Sequence, residues 1–208
     1  MATEAAWRLD FNDEALKYAR RWVDRAPGGT GAVDALRLLG RLYVELAMDA
    51  ERDATMARMQ ELAADLAPGR ERARLHGALA QISMLSGRGE EAIRWADLAI
   101  AEAEELGDEY VATQASIERG SALSAVAAAE SAKEELAAAV ERARRLGDGV
   151  LEARGLNNML EYVPLQSDEA RRLLDALYRL TDRIGFDKLS RDARHWELWV
   201  TESRGDLA

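Results

Sequence analysis

The chain has 208 residues, with 38 acidic against 28 basic side chains, a formal net charge of -10 and no cysteine. That balance argues against a phosphate-backbone binder, which needs clustered Lys and Arg to displace counterions. The missing thiols exclude a disulfide framework or thiolate metal site and point to a cytoplasmic setting.

Nearly half the residues are apolar, few are aromatic and three are proline, a mix that favours helix over sheet. In chain order, apolar residues at helical spacing predict a partial helix over 2–9, then helices over 13–25, 31–47, 51–66, 70–86, 89–106, 109–126, 130–146, 149–163, 168–184 and 187–203. One stripe is Ala92, Ile93, Ala96, Ala99, Ile100, Ala103 and Leu106; another is Leu75, Leu79, Ile82 and Leu85. The breaks fall at DAERDA (49–54), SGRGEEA (86–92) and PLQSDEA (164–170), where Ser167 or Asp168 suits an N-cap. Gly107, Gly147 and Gly185 suit the left-handed residue that closes a helix. Glu4 and Asp10 stand where a leader would be basic and then apolar, and SALSAVAAAESA (121–132) is too short to span a bilayer.

The helix ends recur. Leu106, Gly107 and Asp108 fall on Leu146, Gly147 and Asp148 forty residues on, and Ala92, Ala99 and Ala103 fall on Ala132, Ala139 and Ala143. The same register reaches back to Leu66 and Ala26 and forward to Ile184, two residues short. A two-helix unit of this length cannot cover its own apolar stripes, so it must stack on copies of itself. The units are 1–28, 29–68, 69–108, 109–148, 149–186 and a partial 187–208, together one array. Gly40, Ala80 and Gly120 are equivalent positions inside successive first helices. A glycine there costs about 1 kcal/mol against alanine and implies a close approach by a neighbouring helix.

No catalytic constellation is legible. His76 and His195 lack a second ligand at metal spacing, there is no HExxH, GxxxxGK[ST], GxSxG or calcium-loop pattern, and GGTG (28–31) reads as an inter-helix loop. Glu90 and Glu91 sit at a helix start, where negative charge complements the helix dipole. No catalytic residue, metal or cofactor is expected. The last helix carries Trp196, Leu198, Trp199 and Val200. Its apolar surface, and the turn-like RGDLA (204–208) after it, suggest a segment of a longer protein or ends that pack on another chain, and leave a homodimer through the end helices open.

ALRLLGRLY (35–43), with Leu39, Gly40 and Tyr43, and NDEALKYARRWVDRAPG (12–28), with its closing proline, resemble the two helices of the tetratricopeptide repeat. The forty-residue unit, with GRGEEAIRWADLAIAEAEELGD (87–108), is similar to the long-repeat variety in bacterial ATP-dependent LuxR-type transcription regulators and related signalling proteins. Arg119 departs from Leu39, Leu79 and Met159 at its register position, and Ala127 replaces the turn glycine seen at Gly87. The resemblance implies an all-α, right-handed superhelical solenoid of antiparallel helix pairs with ten or eleven helices, whose first helices line a concave face.

On this sequence it assigns that face to Arg37, Arg41, Arg74, Gln81, Gln114, Glu118, Ser121, Arg154, Asn157, Asn158, Glu161, His195 and Trp199, with Asn158 placed to bond a peptide backbone. It implies a non-enzymatic module that binds a protein or peptide, or a small-molecule inducer, with no direct nucleic-acid contact and no membrane. A structural arm with an idle groove is the alternative.

Overall fold

The structure, a computed structural model, describes residues 2–9, 11–26, 29–123 and 129–204. Among these it holds α1 (Ala2–Arg8), α2 (Asn12–Arg25), α3 (Gly29–Glu45), α4 (Asp49–Asp65), α5 (Arg70–Leu85), α6 (Gly89–Glu105), α7 (Glu109–Leu123), α8 (Ala129–Leu146), α9 (Gly149–Met159), α10 (Asp168–Ile184) and α11 (Asp187–Arg204). A short 3-10 turn, Leu160–Tyr162, follows α9, and no strand occurs among the described residues. The expected Ala127 departure, Gly28 and the closing Gly205–Ala208 lie outside the described residues.

The punctuation explains the repeat. Gly87, Gly107, Gly147 and Gly185 all have φ between 61° and 72°, and Ala47, forty residues before Gly87, adopts the same left-handed turn at φ 53°. Asp148 caps α9, its Oδ1 accepting from the Val150 and Leu151 amides at 3.0 and 2.9 Å. Asp108 accepts from Val111 N at 3.1 Å. At the start of α10 the cap is Ser167 rather than Asp168, its Oγ accepting from Ala170 N at 3.1 Å.

Two expected boundaries move. Gly29–Gly31 is the first turn of α3, not a loop, so only the start of GGTG precedes the helix. The helix expected over 149–163 stops at Met159, because Val163 precedes a proline and must be extended; its φ and ψ are -118° and 144°.

Each helix packs on the next, and each first helix also packs on the first helix of the next unit: α3 on α5, α5 on α7, α7 on α9, α9 on α11. A solenoid-like row results, with the first helices crowded together. The close approaches are real: a Cβ on Gly40 would sit 2.3 Å from Ile82 Cδ1 of α5, and one on Gly120 2.9 Å from Leu136 Cγ of α8. Gly155, unremarked in the sequence, is as tight, 2.5 Å from Val140 Cγ2. Arg119 sits at its register position without harm because it reaches outward to Asp97 of α6 at 2.8 Å and Glu135 of α8 at 2.7 Å.

The row curves until α1 touches α11. Arg8 Nη2 donates to the Ile184 carbonyl at 2.9 Å, and the Trp7 and Phe186 rings meet edge to face, centroids 5.5 Å apart. Glu45 at the end of α3 ties the closure, accepting from Trp7 Nε1 at 3.2 Å, Arg41 Nε at 3.0 Å and Lys188 Nζ at 3.1 Å. Each step between stacked first helices turns the row a little, and the turns accumulate until the two ends share a core. Among the described residues, no helix is long and apolar enough to cross a membrane.

Candidate functional site

The first helices place the expected side chains at three levels of the inner layer. At the level of their N-terminal halves, Asp34, Arg37 and Leu38 of α3, Arg74 of α5, and Tyr110 and Gln114 of α7 enclose a polar cavity of about 170 Å³, completed by Val33, Trp22 of α2 and Glu4 of α1. Three expected residues, Arg37, Arg74 and Gln114, therefore share one recess. Arg74 Nη2 is paired with Asp34 Oδ1 across the α3–α5 contact. Arg37 and Gln114 have no hydrogen-bond or ion-pair partner among the described residues, and neither has Glu4.

The middle level is braced rather than open. Glu118 is wholly buried, and its Oε1 accepts from Gln81 Nε2 at 2.9 Å and is paired with Arg154 Nη2. A neighbouring brace joins Asn158 Nδ2 to Ser121 Oγ at 2.6 Å, and the Tyr162 hydroxyl donates to the Ser121 carbonyl at 2.7 Å. Asn157 Oδ1 accepts from Trp196 Nε1 at 3.1 Å. A buried carboxylate is costly unless donors and an opposite charge compensate it; Glu118 Oε1 has two donors while its buried Oε2 has none among the described residues, and these contacts together join α5, α7, α9 and α11. Asn158, expected to await a peptide backbone, is already engaged within the chain, as are Gln81, Glu118, Arg154, Ser121 and Asn157. Arg41 lies at the closure, paired with Glu45 and stacked over Trp7 with its guanidinium carbon 4.7 Å from the ring centre.

Beyond the C-terminal ends of α5 and α7, Glu161 and Tyr162 border a second, more open recess of about 340 Å³ with Met84, Leu85, Ser121 and Ala122. His195 and Trp199 stand apart on α11, both exposed; Trp199 is 52% exposed, Leu198 beside it 59%, and Trp199 packs edge to face on Trp196 at 5.1 Å. Asp192, on the inward side of α11, has its carboxyl raised above the ordinary range by burial, against the opposing pull of Lys188, Arg41 and His195.

The other histidine belongs to the packing. His76 is buried and stacks on Trp95 at 5.5 Å, with its Nδ1 3.4 Å from Glu102 Oε2. Burial, with Arg72 nearby, draws its imidazole below the ordinary value despite Glu102. Among the described residues, no group of three or more His, Asp or Glu side chains is placed to hold a metal ion.

Sequence reasoning missed Asp34, Glu4, Trp22 and Tyr110. Asp34 was findable: it stands forty residues before Arg74, and register mates on adjacent first helices are neighbours. Glu4 was not, because α1 packs on α2, whose Trp22 lines the same cavity, and neither helix is among the first helices, from α3 on, to which the resemblance assigns the inner face.

No family model matches this chain, and no curated protein matches it. Among solved structures it is similar to the crystal structure of BtubC (BKLC) from P. vanneervenii, with a TM-score of 0.56 and 16% identity over 100% of this chain and 92% of that one. That likeness concerns the fold, an all-helical repeat-like array.

Proposed function

We propose that the chain is a non-enzymatic recognition module, a right-handed tetratricopeptide-like superhelix whose inner face holds a short protein or peptide segment or a small inducer, serving as the sensory or scaffold part of a bacterial signalling or transcription regulator. One observation carries this reading: Arg37 and Gln114 face an enclosed recess with their hydrogen-bonding capacity unspent, whereas the polar groups deeper in the inner layer are spent on one another. Polar side chains in a recess are ordinarily satisfied by neighbours, by water or by a ligand that displaces that water. The bracing of the middle level favours a compact ligand at the mouth over an extended segment running the length of the face.

Charge reversal at Arg37 is the informative test, because that side chain supports no other. Arg154→Glu would instead place two acids together in the buried core and report on folding. Wild-type protein and Arg37→Glu are screened against an immobilised library of short acidic, basic and apolar peptides and a panel of small polar metabolites. The reading expects at least one ligand retained by wild type and lost by the variant; identical, empty profiles would contradict it.

A second reading, an arm that joins copies of itself, is favoured by the exposed Leu198 and Trp199 on α11. It predicts a molar mass above that of the monomer in sedimentation, lowered by Trp199→Glu. A monomer unaffected by that change would remove it.

A further inference from the structure

We infer that the cavity at the mouth of the inner face is a binding site for a small zwitterion of the amino-acid type, its carboxylate held by Arg37 and its ammonium group by Glu4. The inference rests on the reading of that recess as a recognition site and names the ligand class. Arg37 and Glu4 carry opposite charges, line the same cavity of about 170 Å³, and make no ion pair within 4.0 Å with each other or with any other described residue. The remaining charged pair in the wall, Arg74 with Asp34, neutralises itself.

The space between two separated, unpaired opposite charges is complementary to a molecule that carries both signs a few ångströms apart, and disfavours a bare anion or cation. Complementary charge of this kind selects partners more than it adds affinity.

The hydrogen-bonding groups in the wall suit the same ligand class. The Arg37 guanidinium, the Gln114 amide and the Trp22 indole N–H line the cavity as donors without an acceptor among the described residues, which suits the two oxygens of a carboxylate. At the α1 end stands an acceptor, the Glu4 carboxylate, which suits an ammonium. Position is secured by the closure, since Trp7 and Arg8, one turn along α1 from Glu4, are fixed to Glu45, Phe186 and the Ile184 carbonyl. The cavity volume fits a molecule of a few heavy atoms and leaves no room for a folded partner.

The test is isothermal titration of the whole chain with glycine, L-alanine, L-serine, 4-aminobutyrate and glycylglycine, alongside propionate, propylamine and glycinamide as controls that each lack one charge. At least one zwitterion should bind saturably with a dissociation constant at or below about 1 mM, and the controls should bind at least about tenfold more weakly. Arg37→Gln and Glu4→Gln should each weaken that binding about ten- to a hundredfold, the loss expected of one charge-assisted contact. Their unliganded melting curves should match wild type, because neither side chain supports another.

No saturable binding by any zwitterion, equal binding of the one-charge controls, or unchanged binding in Arg37→Gln would each overturn the proposal. Failure here with peptides still captured through Arg37 would leave the recognition reading standing; failure of both would remove it too. Binding of glycylglycine but of no free amino acid would overturn the amino-acid assignment and point to a peptide with free ends.

Discussion

Replacing Gly120 by leucine sets two effects of opposite sign against each other. A Cβ at this position would lie 2.9 Å from Leu136 Cγ and 3.2 Å from both Leu136 Cδ2 and Glu135 Cγ, where carbon atoms ordinarily rest about 3.5 to 4.0 Å apart. Leu136 is fully buried, so it cannot swing aside into solvent, and leucine adds three more carbons beyond the Cβ. Overpacking of this kind costs about 1 to 3 kcal/mol, and several added carbons place it at the upper end. The gain in helix propensity over glycine is a little under about 1 kcal/mol. The net is a loss of about 2 kcal/mol, or about 4 to 8 °C in melting temperature for a chain of this length.

Gly77 is the internal control. It is buried within α5, yet a Cβ there would meet only Ala99 Cβ at 3.9 Å, an ordinary contact. Gly77→Ala therefore keeps the propensity gain without the clash and should raise the melting temperature by about 2 to 4 °C. Thermal denaturation followed by far-ultraviolet circular dichroism reads both variants. A Gly120→Leu protein that melts at or above wild type, or a Gly77→Ala protein that melts as low as Gly120→Leu, would refute the packing argument.

Ala47→Gly should stabilise by about 0.5 to 1 kcal/mol, since a left-handed alanine costs about 1 to 2 kcal/mol and glycine returns part of that as chain entropy; a urea midpoint at or below wild type would contradict this. Arg154→Met should destabilise by about 3 to 5 kcal/mol by leaving Glu118 charged and buried, and adding Glu118→Gln should recover much of the loss in the same denaturation assay. His76, whose pKa is lowered in the fold chiefly by burial, contributes stability that is present above its unfolded value near 6.5 and lost as pH falls through the folded value. Wild type should therefore lose more stability between pH 7 and pH 5 than His76→Phe does, and parallel pH profiles would rule that out.

Local rules made the architecture legible. The glycine at each second-helix end and the apolar stripes between them are properties of single segments, and they recur forty residues apart, so helix order and the tight glycines at 40 and 120 could be read from the chain. The errors were local as well: Pro164 shortens α9, and Gly29–Gly31 joins α3 because its neighbours carry it into the helix. The closure was not legible, because the rotation per unit is set by packing angles that no single segment encodes. The open groove expected from the resemblance therefore became a braced layer with a recess at its mouth. Asn158 shows why: its partner Ser121 sits on the preceding first helix, and only the distance between the two helices decides whether that asparagine is free.

The chain has no cysteine, so two can be introduced and spin-labelled without background. Labels at Ala5→Cys on α1 and Asp187→Cys on α11, both at exposed positions, measure the curvature directly by pulsed dipolar spectroscopy. A row closed on itself predicts one narrow distribution under about 20 Å, an interaxial spacing of roughly 8 to 10 Å plus the label linkers. A distribution centred near about 40 to 50 Å, five such steps laid end to end, would mean an open row and would contradict the account.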